Sequence, residues 1–170
     1  MISSPAPLDL LFTNVKAVAL DVDGVLTDGG IWWGPAGEEW KRFSFRDIMG
    51  VSLGSRAGLR FALISGEASP LVDRYAEKMG IEDVHKGCKE KAAALKAFAA
   101  KHGLKLDEIA FMGDDINDLE AMKLAGLAAA PADAHESVVR SVSFVSRYPG
   151  GHGAVRELID LLLSKRGPIL

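Results

Sequence analysis

The sequence predicts an α/β fold: a Rossmann-like, mostly parallel sheet with helices on both faces. Short apolar runs of strand length alternate with segments of helical periodicity along most of the 170 residues. Alternating strands and helices form right-handed βαβ units, which align the strands in parallel and cover both faces of the sheet. No internal repeat or low-complexity linker interrupts the pattern, so we expect residues 1–170 to form one domain, with a protruding β-hairpin at about 29–45.

The first half of the chain contains two predicted buried strands and the hairpin. The segment 16–22 (KAVALDV) is apolar enough to be buried on both faces, as strands of parallel sheets are. The arms IWW and EEWKRFSF flank GPAG, which has the turn chemistry of a β-hairpin. A helix is predicted over 46–59, and the second buried strand over 60–67.

The second half continues the alternation. Ser69 and Pro70 suit the N-cap and the first position of a helix that ends at Gly80. The other predicted elements are a weak strand at 83–87, a helix at 88–103, strands at 106–113 and 127–133, and helices at 116–126, 134–142 and 154–167.

Composition and charge restrict the class of function. The net charge is −3, and lysine and arginine are scattered, which argues against nucleic acid or an anionic membrane as the main partner. The single cysteine, Cys88, excludes an internal disulfide and a multi-cysteine zinc site. The sequence contains neither an apolar run of about 20 residues nor a signal-peptide pattern at its start, so we expect a soluble, cytoplasmic protein.

Polar stretches directly follow three of the predicted strands: DVDGVLTDGG, ISGE and MGDDIND. Because ligands bind outside the carboxyl ends of parallel strands, we expect these stretches to meet at one edge of the sheet. The side chains brought together would be those of Asp21, Asp23, Ser65, Asp114, Asp115 and Asp118, with Lys91 at the start of an alanine-rich helix.

This set of side chains suits phosphoryl transfer. Carboxylate oxygens are preferred ligands of Mg²⁺, which shares the rest of its coordination shell with a phosphate. A serine hydroxyl, turn amides and a lysine can hold phosphate oxygens, and a carboxylate can attack phosphorus. Any one of these aspartates alone is better explained as a turn or capping residue, but their combination at this spacing favours a site.

The same motifs resemble those of the haloacid dehalogenase (HAD) superfamily of phosphohydrolases. DVDGVLTDG is similar to its first motif, Ser65 to its second, Lys91 to its third and GDDIND to its fourth. The segments DGVLTDGG, KRF, RDIMG and GGHGAVRE resemble one branch of that superfamily. This branch contains the 3-deoxy-D-manno-octulosonate 8-phosphate phosphatases and their neighbours that act on nonulosonate 9-phosphates.

The resemblance implies a role for each matched residue. Asp21 would be the nucleophile and a Mg²⁺ ligand, and Asp23 the general acid and then base, with its backbone carbonyl also on the metal. The other implied roles are Asp114 as a Mg²⁺ ligand, Asp118 as its support in the metal site, and Ser65, the Gly66 amide and Lys91 as binders of the transferred phosphoryl group.

The resemblance also implies an assembly. Only about 36 residues separate Asp28 from Ser65, which leaves no room for the cap domain of many superfamily members. In this capless branch, a homotetramer closes each active site with a neighbour's hairpin and C-terminal tail. Trp32, Trp33 and Trp40 on the predicted hairpin are suitable interface residues; the less favoured alternative is that they pack on their own domain.

The substrate is expected to be a small sugar-acid phosphate, with 3-deoxy-D-manno-octulosonate 8-phosphate as the first choice. Glu67 stands where the octulosonate phosphatases usually have arginine, and it resembles instead the enzymes for 2-keto-3-deoxynononate or N-acylneuraminate 9-phosphate. Ile48, Tyr75 and His152 also depart from the branch. The candidate substrate-binding residues are Glu67, Arg46 and Arg74.

Two other functions remain as alternatives. Related domains fused to sugar-nucleotide synthetases serve as non-catalytic assembly modules, but the presence of both Asp21 and Asp23 argues against that here. A phospho-accepting receiver domain also combines aspartates, a serine or threonine and a lysine. Receivers place the phosphorylated aspartate on the middle strand of the chain, whereas Asp21 follows the first.

Overall fold

The computed structural model describes residues 8–166, which contain a six-stranded sheet and a separate two-stranded hairpin. In chain order the strands are β1 (Ala17–Leu20), β2 (Trp32–Trp33), β3 (Glu39–Trp40), β4 (Arg60–Ile64), β5 (Asp83–His85), β6 (Ile109–Met112), β7 (Leu127–Ala130) and β8 (Phe144–Val145). The strand order in the large sheet is β5-β4-β1-β6-β7-β8, and every neighbouring pair is parallel. The predicted fold class is confirmed.

Helices cover both faces of this sheet. They are α1 (Leu8–Asn14), α2 (Phe45–Arg56), α3 (Pro70–Met79), α4 (Lys91–His102), α5 (Leu119–Leu124), α6 (Glu136–Val139) and α7 (Ala154–Ser164). Alternate residues of each strand face opposite layers, so the strands contribute to two cores. One core contains side chains of α1, α2, α3 and α7, and the other contains those of α4, α5 and α6.

The strand order places a topological switch beside β1. The chain runs from β1 to β4 and β5 on one side of the sheet, and later to β6, β7 and β8 on the other. In register, Leu20 lies beside both Leu63 and Met112, so the loops after β1, β4 and β6 start at the same level. A crevice at the carboxyl ends of the strands is where open α/β sheets bind ligands.

Some elements differ from the predicted ones for local reasons. The helix predicted from 88 begins at Lys91, because the Cys88 N–H donates to the Ser65 carbonyl and holds this stretch beside the loop after β4. Helix α1 and the two-residue strand β8 were not predicted, since each is too short to produce a periodic pattern. They contact each other through an edge-to-face pair formed by Phe12 and Phe144.

The predicted ends of α3 are confirmed. The Ser69 hydroxyl accepts the backbone N–H of Leu71, and Gly80 ends the helix in the left-handed conformation. Among the helices within residues 8–166, none combines the length and apolar character needed to cross a lipid bilayer.

Candidate active site

Asp21 is the first residue after β1 and lies at the centre of the sheet edge. Its backbone N–H continues the ladder to β6 by donating to the Met112 carbonyl at 3.0 Å, which fixes where its side chain emerges. The residue as a whole is only 5% exposed. A carboxylate held this deeply needs a positive partner nearby.

Lys91 supplies that partner from the first turn of α4. Its Nζ lies 3.0 Å from Asp21 Oδ1 and 2.6 Å from Asp118 Oδ1. Burial alone would lower the pKa of Lys91, but the two carboxylates together raise it above its ordinary value. The lysine is therefore a fixed, buried positive charge beneath the sheet edge.

Asp118 uses both of its oxygens within the protein. Oδ1 accepts from Lys91, while Oδ2 accepts the backbone N–H groups of Asp114 and Asp115 at 3.0 and 3.2 Å. The side chain is fully buried. Asp118 therefore fixes the loop after β6 and orients Lys91.

Asp114 completes the group of carboxylates from the loop after β6. One oxygen each of Asp21, Asp114 and Asp118 lie within 4.8 Å of one another. The backbone of Gly24 passes close enough that a Cβ there would lie 2.0 Å from Asp114 Oδ2, and Gly24 also has a φ of +84°. The glycine of the first motif thus makes room for the aspartate of the fourth.

The crowded carboxylates raise each other's pKa values. For Asp21, burial is the largest cause, followed by the charge of Asp118, and the pKa is well above its usual range although Lys91 opposes the shift. Burial and then the charge of Asp118 raise the pKa of Asp114 to about 6. In both cases burial and the repulsion between the carboxylates outweigh the opposing charge of Lys91.

A divalent cation would fit this group. Asp21 and Asp114 present carboxylate oxygens from the loops after the neighbouring strands β1 and β6, and hard oxygen ligands of this kind suit Mg²⁺. The bound ion would supply the positive charge that the cluster lacks. Asp118 contributes less directly, because its oxygens already accept hydrogen bonds from Lys91 and the backbone.

Asp23 lies two residues beyond Asp21 and has a different partner. Its Oδ1 is 2.7 Å from Nζ of Lys41, the residue that follows β3 of the hairpin. Its Oδ2 is buried and has no hydrogen-bond partner in residues 8–166. One oxygen of this carboxylate is therefore fixed and the other is free.

The loop after β4 forms the other wall of the crevice. Ser65 is fully buried, with its backbone N–H donating to the His85 carbonyl at 2.8 Å and its Oγ accepting the Glu67 N–H at 3.1 Å. Gly66 and Glu67 follow it at the surface of the crevice. The turn therefore places backbone amides and one carboxylate side chain opposite Asp21.

These loops enclose a pocket of about 250 Å³. It is lined by Asp21, Asp23, Gly29, Gly66, Glu67, Asp114, Asp115 and Asn117. Ser65 and Lys91 are buried beside the lining. Sequence reasoning missed Asn117 and Lys41, although Asn117 stands within GDDIND and Lys41 within the KRF segment of the hairpin.

Two candidate substrate-binding residues do not line this pocket. Arg46 lies at the start of α2 and lines a separate, larger cavity of about 520 Å³ together with Arg147 and Arg156. Arg74 is on α3, where its exposed guanidinium lies 3.4 Å from Glu77. Of the three predicted substrate-binding residues, Glu67 alone lines the pocket with the carboxylates in the described part of the chain.

Comparison with known proteins assigns this arrangement to a family. Residues 60–158 match the model of the haloacid dehalogenase-like hydrolases. The chain is a haloacid dehalogenase-like hydrolase. The 3-deoxy-D-manno-octulosonate 8-phosphate phosphatase of Escherichia coli K12 is 37% identical to it over 156 residues, which cover 92% of this hydrolase and 83% of the relative.

Solved structures of the same branch share its fold. The 3-deoxy-D-manno-octulosonate 8-phosphate phosphatase of Moraxella catarrhalis, in complex with a magnesium ion, a phosphate ion and a KDO molecule, superposes with a TM-score of 0.90 and 34% identity over 93% of this hydrolase and 91% of that chain. The cobalt-bound phosphatase of Haemophilus influenzae gives a TM-score of 0.89 and 36% identity, with 92% of each chain covered. The predicted resemblance is confirmed.

Proposed function

We propose that this hydrolase is a Mg²⁺-dependent phosphatase that cleaves the phosphomonoester of a 3-deoxy-2-ulosonic acid, with 3-deoxy-D-manno-octulosonate 8-phosphate as its substrate. The proposal rests on one observation: the side chains of Asp21, Asp114 and Lys91 lie close together at the edge of the sheet. Relatives and solved structures that bear this activity in their names, and that align with the chain over more than four fifths of their own length, support the choice of substrate.

The nucleophile in this proposal is Asp21. Lys91 holds its Oδ1, which leaves the other oxygen to attack phosphorus and form an aspartyl-phosphate as the bond to the sugar oxygen breaks. Asp23 gives a proton to that leaving oxygen. In the second step Asp23 takes a proton from the water that attacks phosphorus, which releases phosphate and restores the Asp21 carboxylate.

The remaining groups position and neutralise the phosphoryl group. Asp21, Asp114 and the Asp23 carbonyl would hold Mg²⁺, with Asp118 supporting the site. When bound, the ion supplies charge that screens the carboxylates from the anionic substrate. Ser65, the Gly66 amide and Lys91 are the proposed phosphate-binding groups, because the loop after β4 and the start of α4 face the nucleophile.

A second substrate is favoured by one observation. Glu67 lines the pocket, and a carboxylate there would accept hydrogen bonds from sugar hydroxyls but repel a substrate carboxylate. This chemistry supports 2-keto-3-deoxynononate 9-phosphate or N-acylneuraminate 9-phosphate as the alternative substrate. Since Arg46 and Arg74 do not line the pocket of their own subunit, their proposed substrate contacts require an assembly in which they face a neighbour's pocket.

We further propose that this cytoplasmic enzyme works as a homotetramer built from one-domain subunits. The hairpin exposes Trp32 and Trp33 by 70% and 74%, which is unusual unless these side chains are covered in an assembly. The C-terminal tail, which we expect to close a neighbour's site, lies at 167–170, outside the described residues.

The proposal is tested by measuring phosphate release with and without Mg²⁺. The substrates are 3-deoxy-D-manno-octulosonate 8-phosphate, 2-keto-3-deoxynononate 9-phosphate, N-acetylneuraminate 9-phosphate and 4-nitrophenyl phosphate. We expect Mg²⁺-dependent turnover that Asp21→Asn abolishes while its thermal melting remains cooperative. Turnover that survives in Asp21→Asn contradicts the nucleophile, and no turnover of any substrate would favour the non-catalytic assembly role.

A further inference from the structure

The KRF segment of the hairpin places a buried lysine against the proposed acid–base residue. The side chain of Lys41 is 2% exposed, and its Nζ lies 2.7 Å from Asp23 Oδ1 and 3.4 Å from Glu39 Oε1. Burial alone would lower the pKa of Lys41, but Asp23 and Glu39 together raise it, so the group is a permanent cation. A buried ammonium needs such partners, because a buried charge without a compensating group is costly.

Glu39 extends this contact to the start of α3. Its Oε1 accepts the hydroxyl of Ser69 at 2.7 Å, and Ser69 Oγ in turn accepts the Leu71 N–H as the N-cap of α3. The connected groups are thus the first-motif loop, the hairpin and the helix that follows the ISGE turn. The orientation of Asp23 therefore depends on the hairpin packing against the first-motif loop and the start of α3.

The two oxygens of Asp23 differ in a way that matters for proton transfer. Oδ1 accepts from Lys41 whether or not the carboxyl group carries a proton, because that proton can reside on Oδ2. Among the residues that the structure describes, Oδ2 is buried without a hydrogen-bond partner, and Asp23 lines the pocket beside Asp21. An unpartnered buried oxygen of this kind is unfavourable unless a substrate group or water completes it.

We propose that Lys41 is a positioning residue for Asp23. Its ammonium holds Oδ1, so that Oδ2 is the atom that exchanges the proton with the leaving sugar oxygen and then with water. Lys41 also contacts Glu39, which accepts the hydroxyl of Ser69, so the orientation of Asp23 is linked to the packing of the hairpin against the start of α3. The proposal rests on the proposed phosphatase activity and adds a hairpin residue to its acid–base step.

The first test compares leaving groups. An alkyl phosphate needs a proton on its leaving oxygen, whereas 4-nitrophenolate leaves without one. We expect Lys41→Met to lower kcat/KM for the sugar-acid phosphate roughly 100-fold, within the range for general acid catalysis, and that for 4-nitrophenyl phosphate less than about 5-fold. Lys41→Arg should recover most of the loss, because it keeps a cation within reach of Oδ1.

The matched control is Lys123→Met, which makes the same substitution in an exposed lysine paired with Glu120 on α5. It should leave both kcat/KM values unchanged. Thermal melting checks that each variant is folded, and Lys41→Gln, which retains a hydrogen-bond donor without the charge, replaces Lys41→Met if the latter does not fold.

A double-mutant cycle separates positioning from a general structural role. If Lys41 acts through Asp23, adding Lys41→Met to Asp23→Asn should lower the residual rate by less than about 3-fold. Equal losses on both substrates, or full additivity with Asp23→Asn, would overturn the proposal. A wild-type protein that hydrolyses no phosphomonoester would instead refute the proposed function, and with it the role of Lys41.

Discussion

Lys91 Nζ lies 3.0 Å from Asp21 Oδ1 and holds the proposed nucleophile from below the sheet edge. The same nitrogen is 2.6 Å from the fully buried Asp118, so one ammonium serves two carboxylates from different loops. Removing one member of such a buried group leaves uncompensated charge on the others. Lys91 therefore contributes both to the stability of the fold and to the chemistry of the site.

Lys91→Met should lower both the free energy of unfolding and the catalytic efficiency. The buried Asp21 and Asp118 would lose their common partner, and the free energy of unfolding of the metal-free protein should fall by about 3 kcal/mol at pH 8. The loss should be smaller at pH 5, where a proton can replace the ammonium. Because a phosphate-binding charge is also lost, kcat/KM should fall at least about 100-fold.

Urea unfolding in EDTA at both pH values and phosphate-release assays provide the measurements. The control is Lys123→Met, whose ion pair is exposed on both sides and should contribute little. An unchanged unfolding free energy at pH 8 would mean that Lys91 is not essential for holding these carboxylates.

Without metal, the enzyme should lose stability as the pH rises. Burial and neighbouring charge raise the pKa of Asp114 to about 6 and that of Asp21 also above its usual range. A group with a raised pKa in the folded state stabilises the fold below its unfolded pKa, near 4, and this contribution disappears as the pH passes the folded value. Melting temperatures in EDTA should therefore decline from pH 4.5 to pH 7.5.

Mg²⁺ should oppose this decline, because it replaces the protons with bound positive charge. The Mg²⁺-induced increase in melting temperature should be larger at pH 7.5 than at pH 5. Differential scanning fluorimetry across this range measures both effects, and Asp114→Asn should flatten the pH dependence. An equal Mg²⁺ effect at both pH values would count against a metal at these carboxylates.

Some parts of the site were predictable because the topology alone brings them together. Asp21 and Asp114 are 93 positions apart, yet each follows an apolar strand directly, and parallel strands carry such residues to one edge. The pairing of Leu20 with Met112 is the register that this prediction requires. Gly24 was quoted within the first motif, but only the fold shows that it clears space for Asp114.

Other contacts depend on how the hairpin folds back, which no local pattern encodes. Lys41 lies beside Asp23 in a hairpin whose base is held by the pairing of Thr27 with Phe43 and by Arg42, which donates to the Gly151 carbonyl at 3.0 Å. Tertiary placement of this kind is set by long-range packing rather than by residue periodicity.

Gly24→Ala should lower the affinity for Mg²⁺, while its effect on stability should match that of a control glycine with the same backbone conformation. A Cβ at this position would lie 2.0 Å from Asp114 Oδ2 and would displace that carboxylate. The control is Gly58→Ala, where φ is +85° and, apart from the adjacent residues in the chain, no atom of residues 8–166 lies within 4 Å of the added Cβ. Both variants carry the same backbone strain, of the order of 1 kcal/mol.

Isothermal titration with Mg²⁺ and thermal melting in EDTA distinguish the two effects. We expect similar losses in melting temperature for both variants, but a decrease in Mg²⁺ affinity of about tenfold or more for Gly24→Ala alone. If the two variants bind Mg²⁺ equally well, displacing the Asp114 carboxylate does not affect the affinity for Mg²⁺, and Asp114 is not a ligand.

Trp32→Ser combined with Trp40→Ser should break the proposed assembly. These residues lie opposite each other in the hairpin register and are exposed by 70% and 51%, so they contribute little to the fold of their own subunit. Exposed aromatic side chains grouped in this way are typical of interfaces. Sedimentation should show a smaller species, with lower activity on the sugar-acid phosphate.

The matched control is Leu10→Ser, which removes another exposed apolar side chain, 59% exposed on α1. It should leave the sedimentation coefficient and the activity unchanged. Dilution of the wild type should reproduce the loss of activity, and a fully active monomer would refute the role of assembly.

Glu67→Arg should change which sugar acid the enzyme prefers. Glu67 lines the pocket beside the carboxylates, and reversing its charge replaces a hydrogen-bond acceptor for hydroxyls with a group that binds the substrate carboxylate. The ratio of kcat/KM for the octulosonate 8-phosphate to that for the nononate 9-phosphate should increase about tenfold, equivalent to about 1.4 kcal/mol. The control is Glu82→Arg, which makes the same charge change at an exposed residue before β5, away from this pocket, and should leave the ratio unaltered.

Because both substrates carry the same phosphate, a parallel change in both kcat/KM values would mean that Glu67 influences phosphoryl transfer rather than recognition of the sugar.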